Sequence, residues 1–251
     1  MPINYSRKLT GRVRTAPANM HLGLALAFVA GAINAGGFLA VAQYTSHMTG
    51  IVSSMADSLA LGTVNIALAG LSSLLAFVLG AGCSTVLVQY SRRRAMHSEY
   101  AMPLMLEAAL LLCFGLLGAR LAVIDAWFVS ITVILLCFIM GLQNAMMTTL
   151  SHAEIRTTHV TGIITDIGIE LGKLASRQRG GELADSMVPA NGVRLRMLCL
   201  LLLFFFVGGV AGALGFKHIG YLATVPLSLA LLLLASVPIV DDLHLFWRRN
   251  S

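Results

Sequence analysis

The chain has 251 residues, 57% of them hydrophobic and 11% charged, with a formal net charge of +6. Soluble domains carry about 25% charged residues, so this composition excludes an ordinary water-soluble fold. The positive charge is no nucleic-acid signature, because the basic residues sit in membrane-flanking segments, and no nucleic-acid partner is expected.

The apolar segments recur at lengths near the ~20 residues a helix needs to cross about 30 Å of hydrocarbon. Alternating strands of about ten residues, the mark of a membrane barrel, are missing. The expected class is an all-α membrane protein whose partner is the lipid bilayer. Residues 1–19 form a polar tail with Arg7, Lys8, Arg12 and Arg14, and without an early apolar core no cleavable signal peptide is expected. Six spans are predicted, at 21–42, 64–88, 103–121, 127–150, 197–216 and 221–240, within a single transmembrane domain over 20–240. Asp125 marks the short loop after the third span, and 241–251 is a second tail. The longer polar region 151–195 ends in a Gly/Arg-rich stretch over 176–192.

Basic residues resist translocation and collect on the cytoplasmic side. Six spans with the N-terminus inside put 15 of the 17 Lys and Arg there, leaving only Arg120 and Lys217 outside. Both termini are therefore expected in the cytoplasm.

One pattern occurs twice between the spans. Ser46-His47-Met48-Thr49-Gly50-Ile51 and Thr158-His159-Val160-Thr161-Gly162-Ile163 share [Ser/Thr]-His-x-Thr-Gly-Ile. Other landmarks keep the same order around it. Gly31 and Asn34 precede the first copy and Gly141 and Asn144 the second, while Phe77-x-x-Gly80 has a counterpart in Phe205-x-x-Gly208. Pro103-Leu104-Met105-Leu106 is answered by Pro226-Leu227-Ser228-Leu229. These matches predict an internal duplication with halves 20–121 and 127–240. Three spans per half is an odd number, so the second half enters the membrane from the opposite face, giving an inverted 3+3 repeat.

Ser46 and Thr158 are of the residue types that cap helices. The segments after them, 47–61 and 159–173, are about 15 residues each, or roughly 22 Å of helix, which is short for a crossing. Each half is thus expected to carry a short broken or re-entrant helix. Such helix starts present free N–H groups suited to an anion or a polar solute group. The expected solute-contacting residues are Ser46, His47, Thr49 and Gly50, their counterparts Thr158, His159, Thr161 and Gly162, and the amides Asn34 and Asn144. Two readings stay open for the histidines: solute contact, proton relay or gating near neutral pH, or a structural role at a helix interface. For Asn34 and Asn144, interhelical hydrogen bonding competes with solute contact.

Glu107 lies inside the third span, where a carboxylate is costly and should be paired or protonated, and it is a candidate for proton coupling or for a structural pair. Ala230 occupies the matching place in the second half. Asp57 is a second proton-coupling candidate, whereas Asp166 and Glu170, with Lys173 nearby, fit a solvated face. Cys83, Cys113, Cys137 and Cys199 lie in apolar stretches without metal-ligand spacing, so neither a disulfide framework nor a metal site is expected. There is no P-loop and no complete catalytic constellation, and the chain is expected to be neither an enzyme nor a cofactor carrier.

Asn34-Ala35-Gly36-Gly37-Phe38-Leu39, His47-Met48-Thr49-Gly50, Gly141-Leu142-Gln143-Asn144-Ala145 and His159-Val160-Thr161-Gly162 resemble blocks of the YoaK-like family of bacterial inner-membrane proteins. The resemblance spans about 20–240. It departs at Asn34, where that family often has Asp, and at Ile51 and Ile163, where Asn often follows Thr-Gly. It implies a multi-pass protein of the bacterial inner membrane and brings no established activity. Together these readings predict a secondary transporter or channel-like permease for a small polar or anionic solute, with Glu107 or the histidines as candidates for proton coupling. The alternative is a non-transporting scaffold or ligand sensor. A homo-oligomer is compatible with either.

Overall fold

The computed structural model describes residues 10, 15–94, 96, 98–121, 126–151, 157–179 and 189–250. Most of the N-terminal tail, Asp125 and most of the Gly/Arg-rich stretch lie outside these residues. Within them the regular elements are helices: α1 (Ala16–Val41), α2 (Met48–Ala60), α3 (Val64–Arg93), α4 (Ala101–Leu121), α5 (Ala126–Leu150), α6 (Val160–Arg179), α7 (Gly192–Ile219) and α8 (Thr224–Asn250), with a 3-10 turn, Gly220–Ala223, between the last two.

Among the described residues five stretches are long and apolar enough to cross a membrane: Pro17–Val41, Val64–Arg93, Ala101–Gly118, Ile131–Leu150 and Gly192–Val240. The last is 49 residues long and takes in both of the final predicted spans. The helix ends follow local chemistry. Thr15 caps α1 by accepting a hydrogen bond from the Ala18 N–H at 3.4 Å, and a proline in the first turn fits because that N–H would lack a helical partner anyway. Asn191 caps α7 by accepting from the Arg194 N–H at 3.0 Å. α3 runs past the predicted end of its span at 88 and ends on Arg92 and Arg93, whose charges suit a helix C-terminus. α8 likewise continues past 240 to Asn250, through the sequence expected to be a tail.

α2 is 13 residues, close to expectation. α6 is longer than expected, at 20 residues, because polar helix formers carry it past Lys173 to Arg179. Its length alone would suffice for a crossing, but its composition keeps it off the apolar set.

α1 and α5 are the most buried of the apolar helices, and α3 and the α7–α8 stretch the most exposed. Packing follows a pattern across the two halves. α1 pairs with α7 and α3 with α5, α2 lies on α3 and α6 on α7, and α4 pairs with α8. Matching α1–α4 to α5–α8 turns each of these pairs into another pair on the list, or into itself.

The two long pairs cross on the same four-residue unit. A Cβ on Gly31 would overlap the Phe205 carbonyl oxygen, and one on Gly208 that of Phe28. At the other crossing, Gly80 meets the Phe138 carbonyl and Gly141 that of Phe77. All four helices thus use Phe-x-x-Gly, the glycine letting one backbone touch the other.

Candidate functional site

Both copies of the repeated pattern sit at helix starts. His47, not Ser46, is the N-cap residue of α2, and its side chain makes no capping bond. The expected capping role of Ser46 is corrected by its partner: its N–H and its hydroxyl both donate to Asn34 Oδ1, at 3.2 and 2.9 Å. The second copy repeats this, the Thr158 hydroxyl donating to Asn144 Oδ1 at 2.6 Å. Asn144 Nδ2 donates in turn to the Met140 carbonyl at 2.9 Å. Each asparagine of a long helix therefore ties down the residue just before a motif histidine.

The two histidines differ. A Cβ on Gly50 would overlap the His47 imidazole, so the ring folds back over the first turn of α2 and glycine is what admits it. At Gly162 a Cβ would meet nothing within 4 Å, so the His159 ring is turned elsewhere.

The copies meet in space. A cavity of about 530 Å³ is lined by Asn34, Ser46, His47 and Thr49 from one half and by Thr158, His159, Thr161 and Gly162 from the other. Tyr44, Met48, Val160, Phe77 and Phe205 complete its walls. The last two belong to the crossing units, so the helix crossings also set the cavity's apolar sides. An adjoining cavity of about 440 Å³ shares Tyr44 and His47 and takes in Gly50 and Ser54. There Tyr44 stacks on Phe38 with ring centroids 4.5 Å apart. Ala42, at φ 54°, turns the chain between α1 and this loop in the left-handed region, a conformation that costs a non-glycine residue ~1 kcal/mol or more.

Of the expected site residues, Gly50 and Asn144 lie beside the 530 Å³ cavity without lining it. Asp57 is exposed on α2 and lines neither cavity. Glu107 is fully buried on α4, also apart from both. No group of three or more His, Cys, Asp or Glu side chains that could hold a metal ion occurs among the described residues. Asp166 and Glu170 serve α6: Asp166 pairs with Arg194 at 2.9 Å. Glu170 accepts from Lys173 Nζ at 2.8 Å and from the Asn191 N–H at 2.7 Å, and these two donors hold its carboxyl below the usual range. That tie joins α6 to the start of α7.

Several residues here escaped the sequence reading. Tyr44 was not singled out, and Thr45 and Thr157 are buried with hydroxyls that have no hydrogen-bond partner. The signal was present, since the pattern repeats one position further back as Thr-[Ser/Thr]-His.

The apolar helical stretches make this a multi-pass helical membrane protein. The chain belongs to the family described as "Protein of unknown function (DUF1275)", whose model matches residues 22–237. No curated protein and no solved structure matches it. The YoaK-like name rests on the motif blocks alone.

Proposed function

We propose that the protein is a secondary transporter or channel-like permease for a small polar or anionic solute, held between the two His-x-Thr-Gly segments. The observation that carries this reading is the shared cavity, in which both copies, more than a hundred residues apart in sequence, bring their polar side chains to one recess. Two helices start at that recess, bringing unpaired N–H groups and the positive ends of their dipoles. Hydroxyls, an amide and two imidazoles surround it, and no carboxylate is among the lining residues. That set suits an anion or a neutral hydrogen-bonding solute, and the walls of Phe77, Phe205, Met48 and Val160 restrict the polar area.

The exchange of packing partners between halves supports an inverted 3+3 repeat with six spans, the seam between Gly192 and Val240 falling at the 3-10 turn. In such folds a solute site lies near the midplane, where interrupted helices of the two halves meet. α2 and α6 take that part, entering from opposite faces. The basic-residue count favours both termini in the cytoplasm, and the motif resemblance favours the bacterial inner membrane. No catalytic step, cofactor or metal enters this reading.

The test is solute flux into proteoliposomes, read by osmotic light scattering across a panel of small inorganic anions, carboxylates and neutral polar solutes. The expected result is a flux that His47→Ala combined with His159→Ala abolishes while the variant still elutes as a folded, monodisperse protein. Unchanged flux in that variant refutes the site. A panel-wide absence of flux, with solute binding retained, favours the scaffold or sensor.

A further inference from the structure

Glu107 belongs to neither motif. It lies on α4 one turn beyond Pro103, has no exposed surface, and neither carboxyl oxygen has a hydrogen-bond partner. The elements packed on α4 are α8, α5, the turn Gly220–Ala223 and α3. α5 carries no Asp, Glu, Lys, Arg or His, and α8 carries none before Asp241. Among the described side chains, most titratable groups on these elements have partners or apolar settings of their own. Tyr221 of the turn lies over Gly118 and edge-on to Phe114. Cys137 of α5 is buried beside Ser73. On α3, Arg92 is held by Glu99 and Tyr100, Arg94 lies over the Tyr90 ring, and Arg93 and Cys83 complete the set. Asp242 of α8 accepts from the Ser98 N–H. Arg120, on α4 itself, lies more than three helical turns away in sequence. The two hydroxyls of α8 that reach α4 donate elsewhere, Ser228 to the Ala108 carbonyl at 2.7 Å and Thr224 to that of Leu111 at 3.1 Å.

An ionised carboxylate without a counter-ion in such surroundings costs several kcal/mol, whereas a leucine would fill the position at no such cost. We propose that Glu107 is a reversible proton-binding site, neutral and occluded in this conformation, that takes up and releases a proton when the α4–α8 seam opens. The step is the addition or loss of one proton at a single carboxyl oxygen, with no other reactant. The seam has a place to hinge: Gly220, at φ 61°, separates α7 from α8. Among the described residues Glu107 is the one such acid, and with Ala230 at the matching position the coupling proton is single in an otherwise doubled fold. As a coupling group it rests on the transport reading, but as a proton site it is tested without any solute.

The experiment uses the full chain in proteoliposomes and the apolar reagent dicyclohexylcarbodiimide, which modifies protonated carboxyls in apolar surroundings. Modification is read by peptide mass spectrometry at Glu107, in parallel with a water-soluble carbodiimide. The apolar reagent is expected to modify Glu107 and the water-soluble one to spare it. The rate is expected to fall as pH rises, because only the protonated carboxyl reacts with the carbodiimide. No modification at any pH overturns the proposal, and so does a rate independent of pH, which would mean a permanently neutral acid. The readout is on the wild-type protein, so it does not depend on Glu107→Gln folding. Failure here leaves the cavity reading standing, and failure of the flux assay leaves this result untouched.

Discussion

Gly80 and Gly82 stand two residues apart on α3, and alanine should act on them in opposite senses. At Gly80 a Cβ would overlap the Phe138 carbonyl oxygen, and the next atoms in its way are the carbonyl carbon of Phe138 and the Leu142 nitrogen. All three are backbone, so no side-chain rotation relieves the clash, and α3 and α5 must move apart by roughly an ångström. A gap of that size forfeits a quarter to a half of the dispersion energy of the contacts it opens. Overpacking of this kind costs about 1–3 kcal/mol, and a backbone obstacle places Gly80→Ala near the upper end. At Gly82 a Cβ meets nothing within 4 Å. There the higher helix propensity of alanine should be neutral or stabilising by up to ~1 kcal/mol. For a chain of this size 1 kcal/mol moves Tm by about 2–4 °C, so the two variants should differ by several degrees. The assay is thermal unfolding in detergent, followed by reaction of buried Cys137 with a thiol-reactive dye in a background where Cys83, Cys113 and Cys199 are replaced by serine. Equal midpoints for the two variants would refute the close-crossing account.

Gly31→Ala should behave like Gly80→Ala, because it meets the Phe205 carbonyl at the other crossing, and the same thermal assay checks it. Asn34→Ala strands the Ser46 N–H and hydroxyl, and a loss of about 1–3 kcal/mol with faster amide exchange over 46–50 is expected. Glu170 has its folded pKa depressed by Lys173 and the Asn191 N–H. Its contribution to stability is therefore complete above its ordinary value of about 4.5 and is lost as pH falls through the lower folded value. The midpoint difference between wild type and Glu170→Gln should shrink over that acid range, and a constant difference would count against the tie. Single cysteines at the exposed positions Leu61 and Pro189, in the matching connections after α2 and α6, labelled in right-side-out and inverted vesicles, are expected to report opposite faces. Labelling of both from one face would remove the inverted repeat.

The long apolar runs made the helical membrane class readable in advance, because length and composition survive without tertiary information. Pairing was less readable. Phe28-x-x-Gly31 and Phe138-x-x-Gly141 look like ordinary apolar sequence until their carbonyls are seen under glycines of the facing helices. Capping misled for a related reason: Ser46 and Thr158 have the right side chains for a cap, but an asparagine more than ten residues away in sequence competes for them and wins. Helix ends were misjudged where polar helix formers continue an apolar run, as in α6 and α8. The cavity was legible through its histidines and threonines, while Tyr44, Phe77 and Phe205 enter only through the way the halves pack.

The central claim is that solute passes between the two motif copies. Cysteines replacing Ser46 and Thr158, in a chain lacking its four native thiols, put one reactive group on each copy within the same cavity. A short bifunctional thiol reagent cleavable by reduction then ties the copies together inside one molecule, and flux is measured before linking, after linking and after reduction. Flux should stop on linking and return on reduction; full flux through the linked protein would contradict the account.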